Sequence, residues 1–165
     1  MERTHQYEFE SKVRYSEIDH RGTMTLPALI NYFQDCSTFQ SEEIGYGMEV
    51  LKKEKKAWVL AYWQVIVERY PKLCEKITVG TFAAGFKGMF GNRNFYMKDE
   101  NGRQIACANS IWVYMDVEKG RPVRVSDEQA QAYGSEEPLE MPYEDRKIEE
   151  PKQYEEKPSF PVRKY

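Results

Sequence analysis

The sequence predicts an α+β domain in which a curved antiparallel sheet wraps around one long helix. Three observations predict it. One segment, from Leu26 to about Ile44, repeats its apolar side chains at three- and four-residue spacing. The other long regular segments of the first 125 residues repeat at two, and follow one another in sequence as antiparallel neighbours do. The 165 residues, 41% of them hydrophobic, give one sizeable core but not two. Residues 1–125 are therefore assigned to the domain and residues 126–165 to an appendage.

Taken in order, residues 7–15 alternate as a strand, with Tyr7, Phe9, Val13 and Tyr15 on one side. The turn over residues 16–25 carries Asp19 and Gly22. Thr25 is placed to cap the helix, and Pro27 sits in the first turn, where no backbone donor is needed. Leu26, Leu29, Ile30, Phe33, Cys36 and Ile44 share one helix face, and Gly45 and Gly47 act as stops. The run Lys52-Lys53-Glu54-Lys55-Lys56 reads as a solvated basic connection.

Residues 57–70 are too rich in β-branched and aromatic side chains for a helix and read as a long central strand. One face carries Ala57, Val59, Ala61, Trp63, Val65 and Val67; the other carries Trp58, Leu60, Tyr62, Gln64, Ile66 and Glu68. Pro71 ends it. Strands over 75–86, 89–99 and 103–117 follow, the last two joined by Asn101-Gly102, a hairpin signal. The glycines at 85, 88 and 91 read as strand bends or a hairpin, because a phosphate loop would precede a helix. Residues 121–125 add a short edge piece. Ser126 then caps a short helix to about Tyr133, and prolines at 138, 142, 151, 158 and 161 mark an extended linker.

Charge and motif content exclude several function classes. The net charge is −3, but residues 126–165 hold 11 acidic and 6 basic side chains, which leaves the body mildly positive. That is far from the basic stripe of a nucleic-acid binder, so no nucleic-acid partner is expected. No apolar run reaches the roughly 20 residues of a membrane span, and the N-terminus lacks an apolar signal region. A cytoplasmic setting is expected. Cys36, Cys74 and Cys107 are widely spaced without a CxxC pair, and only His5 and His20 offer imidazole, so neither a metal nor another cofactor is expected. GxSxG, Walker A and GxGxxG patterns are missing.

Among the remaining candidates, Asp19 stands just before the helix N-terminus. There a carboxylate either meets an anion-binding or water-activating site or fills the ordinary role of a turn aspartate. His20 is expected in solvent and Glu17 at a surface strand end. Cys36, with no basic partner in view, is expected to be a small buried hydrophobe.

The segment VRYSEIDHRGTMTLPALINYFQD, residues 13–35, resembles the opening strand and hot-dog helix of the acyl-acyl-carrier-protein thioesterases. Trp58-Val59-Leu60-Ala61, Val67-Glu68-Arg69-Tyr70-Pro71 and residues 108–116, ANSIWVYMD, agree with that family in order and spacing. The resemblance implies a single hot-dog domain here, paired in cis with a second one reached through the linker. Residues 158–165 look like that second domain's first strand, and the family's catalytic asparagine and histidine would follow it.

The implied substrate is a fatty acyl chain on acyl carrier protein, released as free fatty acid with no cofactor. The chain would run between helix and sheet against Leu29, Phe33, Leu60, Tyr62 and Trp63. Asp19 keeps a claim through its likeness to the aspartate of single-domain hot-dog thioesterases, although His20-Arg21-Gly22-Thr23-Met24 lacks the accompanying glycine-histidine-valine pattern. Lys52, Lys53, Lys55 and Lys56 are docking candidates for the acidic carrier protein by charge alone. The competing expectation is a non-catalytic acyl-binding module that self-associates as a homodimer through an exposed sheet edge.

Overall fold

The computed structural model describes residues 5–153 together with residues 155, 159 and 161. Strand β1 (Tyr7–Lys12) leads through a short 3-10 turn (Tyr15–Glu17) to helix α1 (Leu26–Glu43) and a short helix α2 (Met48–Lys53). Strands β2 (Lys56–Val67), β3 (Lys76–Lys87), β4 (Phe90–Asp99), β5 (Gln104–Asp116) and β6 (Arg121–Pro122) follow, and then α3 (Asp127–Tyr133). The sheet is antiparallel, in the order β1-β3-β4-β5-β2 with β6 on β5. It curls around α1, and this is the hot-dog fold.

Helix α1 forms where the periodicity placed it. The Thr25 hydroxyl accepts from the Ala28 amide at 3.3 Å, and Pro27 costs no hydrogen bond in the first turn. Leu29, Phe33 and Cys36 are fully buried against Val79, Phe95, Met97 and Ala108 on the inner sheet face. The Phe33 and Phe95 rings lie 5.2 Å apart. Burying each such apolar side chain stabilises the fold by about 1.5–3 kcal/mol, which makes this layer the main source of cohesion.

Several expectations are corrected. Strand β1 stops at Lys12, and the 3-10 turn leaves Tyr15 82% exposed instead of on the inner face. Glu17, expected at the surface, is 9% exposed. Its carboxylate accepts from the Arg14 amide (2.9 Å), Arg14 Nε (2.7 Å) and the Tyr32 hydroxyl (2.9 Å). Burial opposes its ionisation, but those donors prevail and hold its pKa below the ordinary value.

The expected basic connection is partly helical, with Lys52 and Lys53 in the last turn of α2. Lys55 adopts φ 58°, and Lys56 opens β2 with its ammonium 2.9 Å from Asp116.

Strand β2, read as central, lies at the sheet edge. Its strict alternation also fails. Leu60 pairs with Trp112 and Tyr62 with Ile111, leaving Ala61 as an unpaired bulge residue. The bulge changes which parity faces the helix. Trp58 packs inward beside Tyr114, ring centroids 4.7 Å apart, while beyond the bulge Trp63, Val65 and Val67 face the core.

The acidic tail is extended as composition implied, but part of it is docked. Glu136 donates its amide to the Ala83 carbonyl, and Leu139 donates to Asn94 Oδ1 at 3.1 Å. Gln64 exchanges hydrogen bonds with the Pro142 carbonyl (2.6 Å) and the Glu144 amide (3.1 Å). These partners, with Tyr62 and Asn94, place the strap on the outer sheet face, opposite α1. Helix α3 also packs into the body. Tyr133 is 2% exposed, so the compact unit runs past the boundary expected at 125. The strand expected over 158–165 falls outside the described residues apart from 159 and 161.

Candidate functional site

Along α1 the packing against the sheet changes character. Its first half fills the space with Leu29 and Phe33; its second half presents Ser37 and Ser41 to the same side. Small side chains there leave room, and a cavity of about 580 Å³ opens between α1, α2, the sheet and α3. Its walls include Trp58 from β2, Phe86 from β3, Trp112 from β5 and Tyr133 from α3, with Met48 and Leu51 from α2. This volume falls within the roughly 300–1,000 Å³ of small-ligand pockets, and its aromatic walls are joined by polar side chains such as Gln34, Thr38, Glu49 and Asn92.

Gly91 leaves little room for a side chain at this wall. An added Cβ would come within 3.1 Å of the Phe86 ring and 3.2 Å of the Trp58 ring. Trp58 reaches the cavity only because the bulge at Ala61 aims it inward.

The buried charge in the wall is Arg93. Only 9% of it is exposed, and Nη1 donates to Gln40 Oε1 and, at 3.0 Å, to the Thr81 hydroxyl. The Tyr133 ring lies 5.3 Å from the guanidinium carbon. Burial pushes the pKa of Arg93 below its ordinary value.

The side chains expected to hold an acyl chain lie elsewhere. Leu29 and Phe33 are packed solid in the core, Leu60 is 39% exposed opposite Trp112, and Tyr62 lies on the outer face with its hydroxyl directed to the Glu144 carbonyl. Trp63 packs between Phe95 and Trp112 at 5.7 and 6.5 Å, with its indole N–H buried and unpaired. None of the five lines the cavity. The physical reason is the split character of α1: the most hydrophobic positions close-pack, and the open volume lies where the helix face turns small and polar.

Asp19 is committed to its own turn. Oδ1 accepts from the Arg21 amide (2.9 Å) and the Thr23 hydroxyl (3.2 Å), and Oδ2 accepts from Arg21 Nε (3.1 Å). Partial burial opposes ionisation, yet the donors from Arg21 and Thr23 hold the carboxyl down to about 2. A carboxylate so engaged is a poor proton acceptor at neutral pH. His20 is exposed.

Cys36 is buried, its thiol directed to the Val79 carbonyl at 3.6 Å and its pKa pushed up to about 12 by burial, which leaves no thiolate for nucleophilic chemistry. Of the four lysines proposed for docking, Lys52 and Lys56 line the cavity, and Lys56 is paired with Asp116. Among the described residues there is no cluster of His, Cys, Asp and Glu of the kind that holds a metal, and no helix long and apolar enough to cross a membrane.

Sequence reasoning missed Trp58, Phe86, Arg93, Trp112 and Tyr133. A signal existed for Arg93, since it shares the inward register of Phe95 and Met97 in β4, where a charge is out of place.

Comparison with known proteins accounts for this architecture. The model of the acyl-ACP thioesterase N-terminal domain matches residues 4–133, which include α3. The palmitoyl-acyl carrier protein thioesterase of Cuphea hookeriana is 29% identical over 126 residues, covering 70% of this chain and 30% of its own length. Oleoyl-acyl carrier protein thioesterase 1 of Arabidopsis thaliana is 24% identical, covering 90% of this chain and 46% of its own length. The chain thus spans less than half of these curated relatives.

Among solved structures, an acyl-ACP thioesterase from Bacteroides thetaiotaomicron superposes with TM-score 0.79 at 23% identity, over 86% of this chain and 58% of that one. The DHNA-CoA thioesterase of Staphylococcus aureus superposes with TM-score 0.70 at 15% identity, over 78% of this chain and 88% of that one. At these identities the structures attest the fold. With the family model matched through the helix, the sheet and the cavity-closing α3, the chain belongs to the acyl-ACP thioesterase family and carries its N-terminal domain.

Proposed function

We propose that this chain is the acyl-holding half of an enzyme that hydrolyses fatty acyl thioesters of acyl carrier protein. The observation that carries the reading is the cavity. It opens between the helix and the sheet, with Trp58, Phe86, Trp112 and Tyr133 in its walls, and offers more apolar than polar surface to an aliphatic chain. Its mouth lies beside α2, where Met48 is 67% exposed and Lys52 offers charge to an acidic carrier. A cytoplasmic setting is part of the proposal, and the free thiols of Cys36, Cys74 and Cys107 suit a reducing compartment.

Water activation is assigned to a second hot-dog domain, in cis or supplied by a partner copy. Asp19 supports that division, because its oxygens are already engaged by Arg21 and Thr23. The purified 165-residue chain should bind a dodecanoyl thioester without hydrolysing it, as followed by tryptophan quenching and thiol release. Turnover by this chain that is abolished in Asp19→Asn would overturn the division of labour. Failure to bind the thioester would overturn the role of the cavity.

The second reading, a non-catalytic acyl-binding module acting as a homodimer, is favoured by the edge of β2, which pairs with no second strand among the described residues. Sedimentation separates the two: the paired module requires a concentration-dependent dimer that binds acyl chains and never gains hydrolysis from a longer reading frame.

A further inference from the structure

Arg93 is a buried cation without a counter-ion. Among the described residues no carboxylate pairs with it, and its hydrogen-bond partners, the Gln40 amide oxygen and the Thr81 hydroxyl, are both neutral and both served by Nη1. Lysine or histidine in such a place would shed its proton, but arginine holds its charge, and an isolated buried charge is costly. The Tyr133 ring, 5.3 Å away, offers partial compensation through its π face.

What remains free is specific. Nε and Nη2, the side of the guanidinium that takes a planar carboxylate through two parallel hydrogen bonds, meet no acceptor among the described residues. Neither is among the sealed, unsatisfied polar atoms of the structure, and Arg93 lines the cavity. Gln40 fixes the guanidinium from behind, its own Nε2 donating to the His5 carbonyl at 2.7 Å.

We propose that Arg93 is an anion anchor within the cavity, receiving through Nε and Nη2 the carboxylate of an aliphatic chain whose methylenes lie against Trp58, Phe86 and Trp112. The inference rests on the reading of the cavity as an acyl site and adds a ligand class to it. Two sources share the chemistry. One is a free fatty acid entering carboxylate first, which would make released product a competitor for the site. The other is an acyl group with a second carboxylate at its far end, its thioester remaining outside.

Four ligands decide the matter at pH 8 by calorimetry on the full chain: dodecanoate below its micellar concentration, methyl dodecanoate, a dodecanoyl thioester of N-acetylcysteamine, and the same thioester carrying an ω-carboxylate. Dodecanoate should bind about tenfold more tightly than its methyl ester, or the ω-carboxy thioester about tenfold more tightly than the plain one. The pair that shows the gain identifies the source. Arg93→Met should bring that ratio to about one while the neutral ligands still bind.

Neutral ligands that bind with no carboxylate advantage in either pair would overturn the anchor and leave the acyl cavity standing. Loss of all four in the unmodified chain would overturn both. Should Arg93→Met fail to fold, Arg93→Lys decides. A charge-preserving variant that keeps a carboxylate preference supports the anchor, and one that folds and binds acid and ester alike refutes it.

Discussion

The two halves of α1 face the same sheet and meet it differently. Over the first half, Leu29 and Phe33 close-pack with Val79, Phe95 and Met97. Over the second, Ser37 and Ser41 stand back from Trp58, Trp112 and Arg93, and about 580 Å³ stays open. The lesson is that a continuous helix serves close packing and open volume in successive turns, simply by changing side-chain size along one face. The packed half sets the distance between helix and sheet, and the open half inherits that distance as empty volume.

Breaking the packed half should have the largest effect. Phe33→Ala removes a fully buried ring beside Phe95 and should cost about 3–5 kcal/mol, seen as a lower urea midpoint at unchanged slope. Removing the outer support should come next. Asn94 is fully buried, donates to the Ala108 carbonyl and Asn109 Oδ1, and accepts from Leu139 and Tyr143. Asn94→Ala should cost about 1–3 kcal/mol and speed amide exchange across the strap at 139–144.

Filling the open half should cost little stability while blocking binding. Ser37→Leu should move the unfolding free energy by less than about 1 kcal/mol, yet weaken thioester binding at least about tenfold; equal binding would show that the ligand lies elsewhere.

Acid should treat the two ends alike. Asp19, held by Arg21 and Thr23 at the helix start, and Asp116, held by Lys56 and the Lys119 amide near the cavity, both have carboxyls lowered from 3.8 to about 2. A lowered folded-state value means that the contribution is complete above about pH 4 and fades as pH falls toward 2. Far- and near-ultraviolet dichroism should therefore decline together over that window. Asp19→Asn should flatten the decline only slightly, since the Asp19 side chain is partly open to water and Asp116 still titrates.

Most of the fold was legible because its signals are local. The three- and four-residue spacing of α1, the Asn101-Gly102 turn (Gly102 at φ 77°) and the caps at Thr25 and Ser126 each depend on a few neighbouring residues. The cavity was not legible, because it is a property of distances between elements. Ser37 and Ser41 read as the polar side of a helix until the sheet is seen to pass over them.

Glu17 shows the same gap in another form. Nothing local marks it as buried, and Tyr32, fifteen positions away, completes its pairing. The resemblance to thioesterases supplied the idea of an acyl chain between helix and sheet, but of the side chains it pointed to, Leu29, Phe33 and Trp63 pack in the core, Leu60 is 39% exposed and Tyr62 lies on the outer face.

The single unpaired residue in β2 has a consequence for how this domain tolerates change. Ala61 is exposed and has no partner in the register with β5, so substitution there should be nearly silent. Deletion is another matter. Losing one residue would restore strict alternation and oblige either Trp58 and Leu60 or Trp63, Val65 and Val67 to change sides of the sheet. The position is thus insensitive to spelling and sensitive to length: natural or engineered variants should sample every side chain at 61 before they lose the residue itself.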